Sequence, residues 1–373
     1  MKRTDKEFDL IRDMPISPGF RVIEAGAGSG KTYSLVFLVL RLIVERDIDI
    51  RRILMVTFTE AAALELRQRM RERLESVCSG IIRRYQGGEG EFADAKVRDK
   101  FEGEAGQLMQ IIGDPASQDT AQLKRYSDNL MKLRIAMTRI GSMQVTTIHG
   151  FCQRAVADHA VNAGYEPMEG TPVDTKDVAA VIAGDYLRRI YAARGVASEK
   201  LEATIRAVQV LMADPNCTVS DQKFPGLVKF VNDRNVTDPV LTFDGIILRL
   251  RAKLLGTEKP AVELTRLIRA QFDVCFIDES QDTDENQWDI FRHLFVAPAE
   301  NKLLVLVGDP KQAIYGFRGA DVRTYRKACE LARAPNKYAL PKNYRSTAEM
   351  VAAFNAIFRR ERAASFFGLG SQI

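Results

Sequence analysis

Short, almost continuous apolar runs recur along this chain, and each is followed by a stretch with helical spacing of apolar residues. The runs are Arg21–Ala25 (RVIEA), Arg52–Phe58 (RILMVTF), Val274–Ile277 (VCFI) and Leu303–Val307 (LLVLV). A run of that length with no polar alternation is the pattern of a strand covered on both faces. The first run enters a glycine-rich turn and then a helix predicted from about Lys31 to Glu45. The second leads to Thr59 as a helix start signal and a helical body through about Ser76. Strand, glycine turn, helix, strand, helix, repeated later, predicts an α/β fold with a parallel sheet flanked by helices. In such sheets ligands are bound by the loops at the carboxyl ends of the strands.

Between the two pairs of strands the pattern changes. Residues 85–120 are rich in Gly, Glu, Asp and Gln, which predicts a mobile or loosely helical insertion. From about 155 to 265 the spacing is helical and Ala-rich (DVAAVIAGDYLRRIYAARG), interrupted by Pro215, Pro225 and Pro239. We therefore expect a sheet domain that is discontinuous in sequence, residues 1–154 and 266–338, with an insertion at about 78–140. A helical subdomain is expected over 155–265, and the start of a further domain over 339–373.

Composition narrows the class without naming the chemistry. Lys and Arg exceed Asp and Glu by 54 to 49 in 373 residues, with 46% hydrophobic, which excludes disorder and collagen. A net charge of +5 is too small to identify a polyanion partner by itself. Arg67, Arg69, Arg71 and Arg73 alternate with Glu65, Glu72 and Glu75, as a salt-bridged solvated helix face would. The five cysteines, Cys78, Cys152, Cys217, Cys275 and Cys329, form no CxxC pair, so neither a disulfide framework nor a zinc cluster is indicated. The N-terminal MKRTDKEFDLIRDMP is too charged for a signal peptide. The apolar stretch Leu35–Val44 is short and broken by Arg41, which fits a core helix and not a membrane span. A cytoplasmic protein with no membrane partner is expected.

Three loops carry chemistry. Ala25-Gly26-Ala27-Gly28-Ser29-Gly30-Lys31-Thr32 is a phosphate-binding loop between strand and helix, with Ala where Gly is usual at the start. Its backbone N–H groups and helix N-terminus suit phosphates, Lys31 neutralises them, and Thr32 offers a hydroxyl to Mg²⁺. In FIDESQD, Asp278 would hold Mg²⁺ through water and Glu279 would polarise the attacking water. After the next strand, GDPKQAIYGFRGAD brings Gln312, able to sense a γ-phosphate, then Tyr315, Phe317 and Arg318. The two aromatics offer faces for unpaired bases or, alternatively, anchor a loop in the core.

The set of motifs resembles the UvrD/Rep-type superfamily 1 DNA helicases, and within them the RecB-like branch. The resemblance rests on FDL at Phe8–Leu10, RVIEAGAGSGKT, TFTEAAALELRQRM at Thr57–Met70, TIHGFCQR at Thr147–Arg154, LTFDGII at Leu241–Ile247, FIDESQDTD, GDPKQAIYGFRGAD and NYRS at Asn343–Ser346. It implies a RecA-like P-loop NTPase that uses ATP and Mg²⁺ to move on single-stranded DNA, 3′ to 5′, in recombination or repair. Single-stranded DNA or duplex ends would be its substrates, and subunits of a helicase-nuclease complex its partners. It implies DNA-side contacts for Thr57, Phe58 and Thr59 and for Thr147 and His149; for Phe58 a buried strand-end aromatic, and for His149 a structural histidine, are the alternatives. It also implies that Tyr344 packs on adenine, that Arg345 reaches the γ-phosphate, and that Phe243 and Asp244 are structural or DNA-proximal.

The chain departs from the family pattern in three ways. There is no adenine-reading Gln upstream of the phosphate loop, DESQ stands where DEFQ is usual, and the last helicase motifs have no counterpart after NYRS. The alternative expectation is therefore an ATP- and DNA-binding module that needs a partner chain for unwinding.

Overall fold

A computed structural model describes residues 13–85, 111–113, 117–159, 173–190, 198–213, 219–220, 222–237, 242–296, 301–314, 322–332, 336–340 and 342–358. Within them the chain forms two compact units, residues 1–147 with 269–373, and residues 148–268. The boundaries expected from sequence were 154/155 and 265/266. Among the described residues no helix is long and apolar enough to cross a membrane.

Among the described residues the first unit has six strands: β1 (Gly19–Ala25), β2 (Ile53–Thr57), β3 (Gln144–Thr147), β4 (Val274–Ile277), β5 (Leu303–Gly308) and β6 (Lys337–Leu340). Their order is β3-β2-β4-β5-β1-β6, and every pairing is parallel. The four strands predicted from apolar runs are the four central ones. Every residue of β2, β4 and β5 is buried, as a sheet covered on both faces requires. The two strands without a clear signal, β3 (QVTT) and β6 (KYAL), are the sheet's edges, and β6 alternates exposed and half-buried residues. The register aligns Ala25 with Leu340, Glu24 with Gly308, and Ile277 with both Val56 and Leu306. The loops that follow β1, β4 and β5 consequently open at one end of the sheet.

The helix Lys31–Arg46 is buried without interruption from Ser34 to Val44. Arg41 is tolerated inside that run because its guanidinium donates to the Met14 carbonyl at 2.8 Å and pairs with Glu45 at 2.8 Å. The helix Glu60–Tyr85 begins where Thr59 marks it: Thr59 Oγ1 accepts from the Ala62 N–H at 3.1 Å. It is tied to β3 by Arg67, which donates to the Val145 carbonyl. The helix Thr120–Thr138 falls in the span expected as an insertion, yet its Tyr126, Leu130, Leu133 and Ala136 are buried in the same core as the sheet. The Gly/Glu-rich composition noted over 85–120 ends where this helix begins. Residues 86–110 lie outside the described part.

The second unit is helical, with helices Ile148–Asp158, Thr175–Ile190, Ser198–Ala213, Leu227–Thr237 and Phe243–Leu254. Ala179, Ile182, Ala183, Tyr186, Leu187, Val208, Leu211, Leu227 and Val231 form its core. Tyr186 is buried with its hydroxyl donating to the Pro225 carbonyl at 3.0 Å, so the ring packs while the polar tip is satisfied.

Candidate active site

The loops after β1, β4 and β5 and the segment after β6 surround a cleft of about 490 Å³ lying wholly in the first unit. Its walls include Gly26 to Tyr33, Leu66, Arg69, Asp278, Glu279, Gln312, Tyr344 and Arg345. Of the nucleotide residues named from sequence, all but Ala25 line it; Ala25 is buried in β1. Tyr33, Ala62, Glu65, Leu66 and Arg69 also line it, and sequence reasoning did not single them out for this role. The segment TFTEAAALELRQRM held four of them, but its pattern speaks of a helix, not of which face meets the cleft.

The phosphate loop has the backbone its glycines permit. Gly28 and Gly30 have φ of +74° and +81°, in the left-handed region open to glycine. The Ser29 N–H donates to the Gly26 carbonyl at 3.2 Å, closing the turn. No side chain caps the Lys31–Arg46 helix, so its first N–H groups face the cleft, a setting that favours anions. The Ser29 hydroxyl is buried without a hydrogen-bond partner. The Asn343–Ser346 turn packs on this loop: the Tyr344 N–H donates to the Gly28 carbonyl at 2.8 Å, and a Cβ at Gly28 would collide with that of Arg345. Asn343 Oδ1 accepts from the N–H groups of Arg345 and Ser346 at 2.8 and 3.0 Å, which shapes the turn. Tyr344 itself is 74% exposed, with its ring beside Gly30.

Lys31 Nζ lies 2.8 Å from Glu279 Oε1 and 3.4 Å from Asp278 Oδ1. Burial lowers the lysine pKa, but the two carboxylates outweigh it and hold Lys31 above its ordinary value. Burial pushes the Asp278 carboxyl up, with Lys31 opposing and Glu279 adding to the rise. Asp282, four residues on, is pushed up to about 6 by burial and by the Glu279 charge. Glu279 adopts a left-handed backbone, φ +52°, uncommon for a residue with a side chain. That conformation turns the chain sharply out of β4 directly after Asp278.

Behind the carboxylates lies a buried polar layer. Ser280 donates to the Val307 carbonyl at 3.0 Å, and a Cβ on Gly308 would sit 2.7 Å from both Ser280 Oγ and Gln281 Oε1. This explains DESQ: the position faces the end of β5 at close range, where a hydroxyl fits and finds an acceptor. Gln312 Nε2 donates to Asp309 Oδ2 at 2.9 Å, and Lys311 Nζ pairs with Asp309 at 2.9 Å and with Glu24 at 3.1 Å.

The expected DNA contacts divide. Thr57 is fully buried and its hydroxyl has no partner, so its side chain cannot touch a strand laid on the surface. Thr147 is 3% exposed and donates to Glu60 Oε1 at 2.7 Å, which makes it a brace between β3 and the Glu60–Tyr85 helix. Both are strand residues at the sheet's end whose side chains face inward. Phe58 and Thr59, just past the strand, are half-buried. In the second unit His149 meets Phe243 edge to face, with centroids 5.9 Å apart, and Phe243 is 43% exposed. Asp244 accepts from Thr175 Oγ1 at 2.6 Å, a structural bond at a helix start. Tyr315, Phe317 and Arg318 lie outside the described residues.

Asp278 at a strand end and Thr32 at a helix start supply oxygen ligands only. That sparse set suits Mg²⁺, which takes most of its coordination from phosphates and water.

Comparison with known proteins agrees with this geometry. Residues 15–332 match the family model described as the UvrD/REP helicase N-terminal domain. The RecBCD enzyme subunit RecB of Mycobacterium tuberculosis (strain CDC 1551 / Oshkosh) is 27% identical over 94% of this chain and 31% of the relative's length. Those of Mycolicibacterium smegmatis and Escherichia coli K12 are 28% and 25% identical, over 95% and 94% of this chain and 31% and 38% of their own lengths. The chain thus spans about a third of the length of the curated relatives it matches. With a family model covering 15–332 and a phosphate loop, paired carboxylates and Gln312 on one cleft, the chain belongs to the UvrD/REP helicase family, in its RecB-like branch.

Proposed function

We propose that this chain is an ATP-hydrolysing motor domain that acts on single-stranded DNA, moving 3′ to 5′, in recombination or DNA repair. The observation that carries the reading is the placement of Lys31 within 2.8 and 3.4 Å of Glu279 and Asp278 in a cleft floored by the phosphate loop. A triphosphate in that loop would offer Lys31 a stronger partner than the carboxylates. Glu279, released on one oxygen, could then take a proton from the attacking water. Bound Mg²⁺, held by Thr32 and Asp278, would neutralise charge on the phosphates. Gln312 and Arg345 reach the same cleft and would read the γ-phosphate, while exposed Tyr344 offers a ring to the base.

On the DNA side the reading assigns Phe58 and Thr59, His149 with Phe243 beside it, and Tyr315, Phe317 and Arg318. Stacking and phosphate contact predict little sequence preference and a strong dependence on salt. By analogy with the relatives named RecB, other subunits of a recombination complex would be its partners.

ATP turnover by the purified chain, with and without single-stranded DNA, beside Lys31→Ala and Glu279→Gln, tests the reading. DNA-stimulated turnover that Lys31→Ala abolishes and Glu279→Gln lowers by roughly a hundredfold or more is expected. Wild-type turnover no higher than that of Lys31→Ala would refute the motor assignment.

A further inference from the structure

We infer that Gln281 is a positioning residue that holds the Glu279 carboxylate and couples it to the loop carrying Gln312; the inference rests on the motor reading above. Gln281 is 2% exposed and uses both ends of its amide. Nε2 donates to Glu279 Oε2 at 3.0 Å and to Asp282 Oδ2 at 3.3 Å, while Oε1 accepts from the Asp309 N–H at 3.0 Å. The chemistry of the partners fixes which end is which. A backbone N–H can only donate, so the amide oxygen faces Asp309 and the NH₂ faces the two carboxylates.

Glu279 needs such a hold. Its backbone is left-handed and its side chain is 34% exposed, so little packing fixes the carboxylate. Lys31 occupies Oε1 and Gln281 occupies Oε2. Once Lys31 turns to a phosphate, Gln281 still anchors one oxygen and leaves the other for water.

The same amide reaches the next loop. Asp309, whose N–H is bound by Gln281, accepts through its own carboxylate from Gln312 Nε2. Three hydrogen bonds, through Gln281 and Asp309, therefore join the general base to the residue placed to read the γ-phosphate. Gly308 permits this, because a Cβ there would stand 2.7 Å from Gln281 Oε1. A displacement of residues 309–312 would pull on Gln281 and move Glu279.

The test compares steady-state ATP turnover with saturating oligo-dT for wild type, Gln281→Met, Gln281→Glu, Glu279→Gln and the Glu279→Gln/Gln281→Met pair. Affinity for a fluorescent ATP analogue and thermal melting are measured on each. Gln281→Glu keeps shape and the Asp309 bond but turns an acceptor toward Glu279, so it remains informative if Gln281→Met folds poorly. The expected result is a fall in kcat of roughly tenfold or more for both single variants, with nucleotide affinity within about threefold. Adding Gln281→Met to Glu279→Gln should cost no more than about twofold, because residues acting as a unit are not additive. The inference is overturned if wild type is active and the Gln281 variants match it, or if Gln281→Met costs the same factor with and without Glu279. Inactivity of wild type itself would instead sink the motor reading, and this inference with it.

Discussion

Replacing Asp282 by Asn removes a carboxylate that the fold holds at a cost. Asp282 is 3% exposed, one of its oxygens has no partner, and the Glu279 charge lies nearby. Burial first, and Glu279 second, raise its pKa from 3.8 to about 6. That is a change of roughly a hundredfold in proton affinity, or about 3 kcal/mol. Because the folded pKa is the higher one, the native state holds the proton between about pH 4 and 6 while the unfolded chain has lost it. Stability therefore falls as pH rises through this window, and the full cost is present above about pH 6 to 7. Asn carries no charge, and its carbonyl can keep the bond from Gln281. Asp282→Asn should thus stabilise the protein by up to about 3 kcal/mol at pH 7.5 and by little at pH 4. Urea unfolding of both proteins across that range measures the difference. A gap that does not widen with pH would show that Asp282 is not a strained carboxylate.

Three other substitutions probe separate parts of the argument. Thr57→Val replaces a buried hydroxyl with no partner by a methyl, and should add about 1 kcal/mol to unfolding stability while leaving affinity for single-stranded DNA unchanged; weaker DNA binding would restore a direct contact for Thr57. Gly28→Ala meets both a left-handed backbone and the Asn343–Arg345 turn, and is expected to weaken ATP-analogue binding in a fluorescence titration by roughly tenfold or more, since the conformation alone costs about 1–2 kcal/mol. Ser280→Phe, which recreates the more usual DEFQ, should destabilise by about 1–3 kcal/mol in thermal or urea unfolding, because the side chain faces Gly308 and the Val307 carbonyl at contact distance. An unchanged midpoint would mean that the space exists after all.

How far the sequence could be read follows from whether a signal is local. The phosphate loop and the Asp278-Glu279 pair are each written in a few adjacent residues, so their place at the ends of β1 and β4 was legible. The central strands were legible because burial on both faces leaves few polar positions in them. β3 and β6 escaped notice because an edge strand of four residues need not be apolar throughout. Gln281 and Ser280 were opaque for another reason: their partners, Asp309 and Val307, lie 28 and 27 residues away and meet them only across the sheet. Thr57 and Thr147 show the opposite case: a motif placed them near the strand ends, and their burial was not legible. A motif marks a neighbourhood, and strand geometry then decides which of its side chains face inward.

The strand order carries a consequence for how the molecule is made. β4 and β5 lie between β2 and β1, yet they are synthesised after the whole helical unit. When Thr147 has left the ribosome, β1 and β2 each lack the neighbour that will separate and join them. The next sheet residue, Val274, follows 127 residues later, roughly 6–25 s at ordinary rates of translation. For that interval two largely apolar strands present unpaired edges, the condition under which chains pair with the wrong partner. Slowing translation across residues 148–268 should therefore lower the soluble yield of this protein.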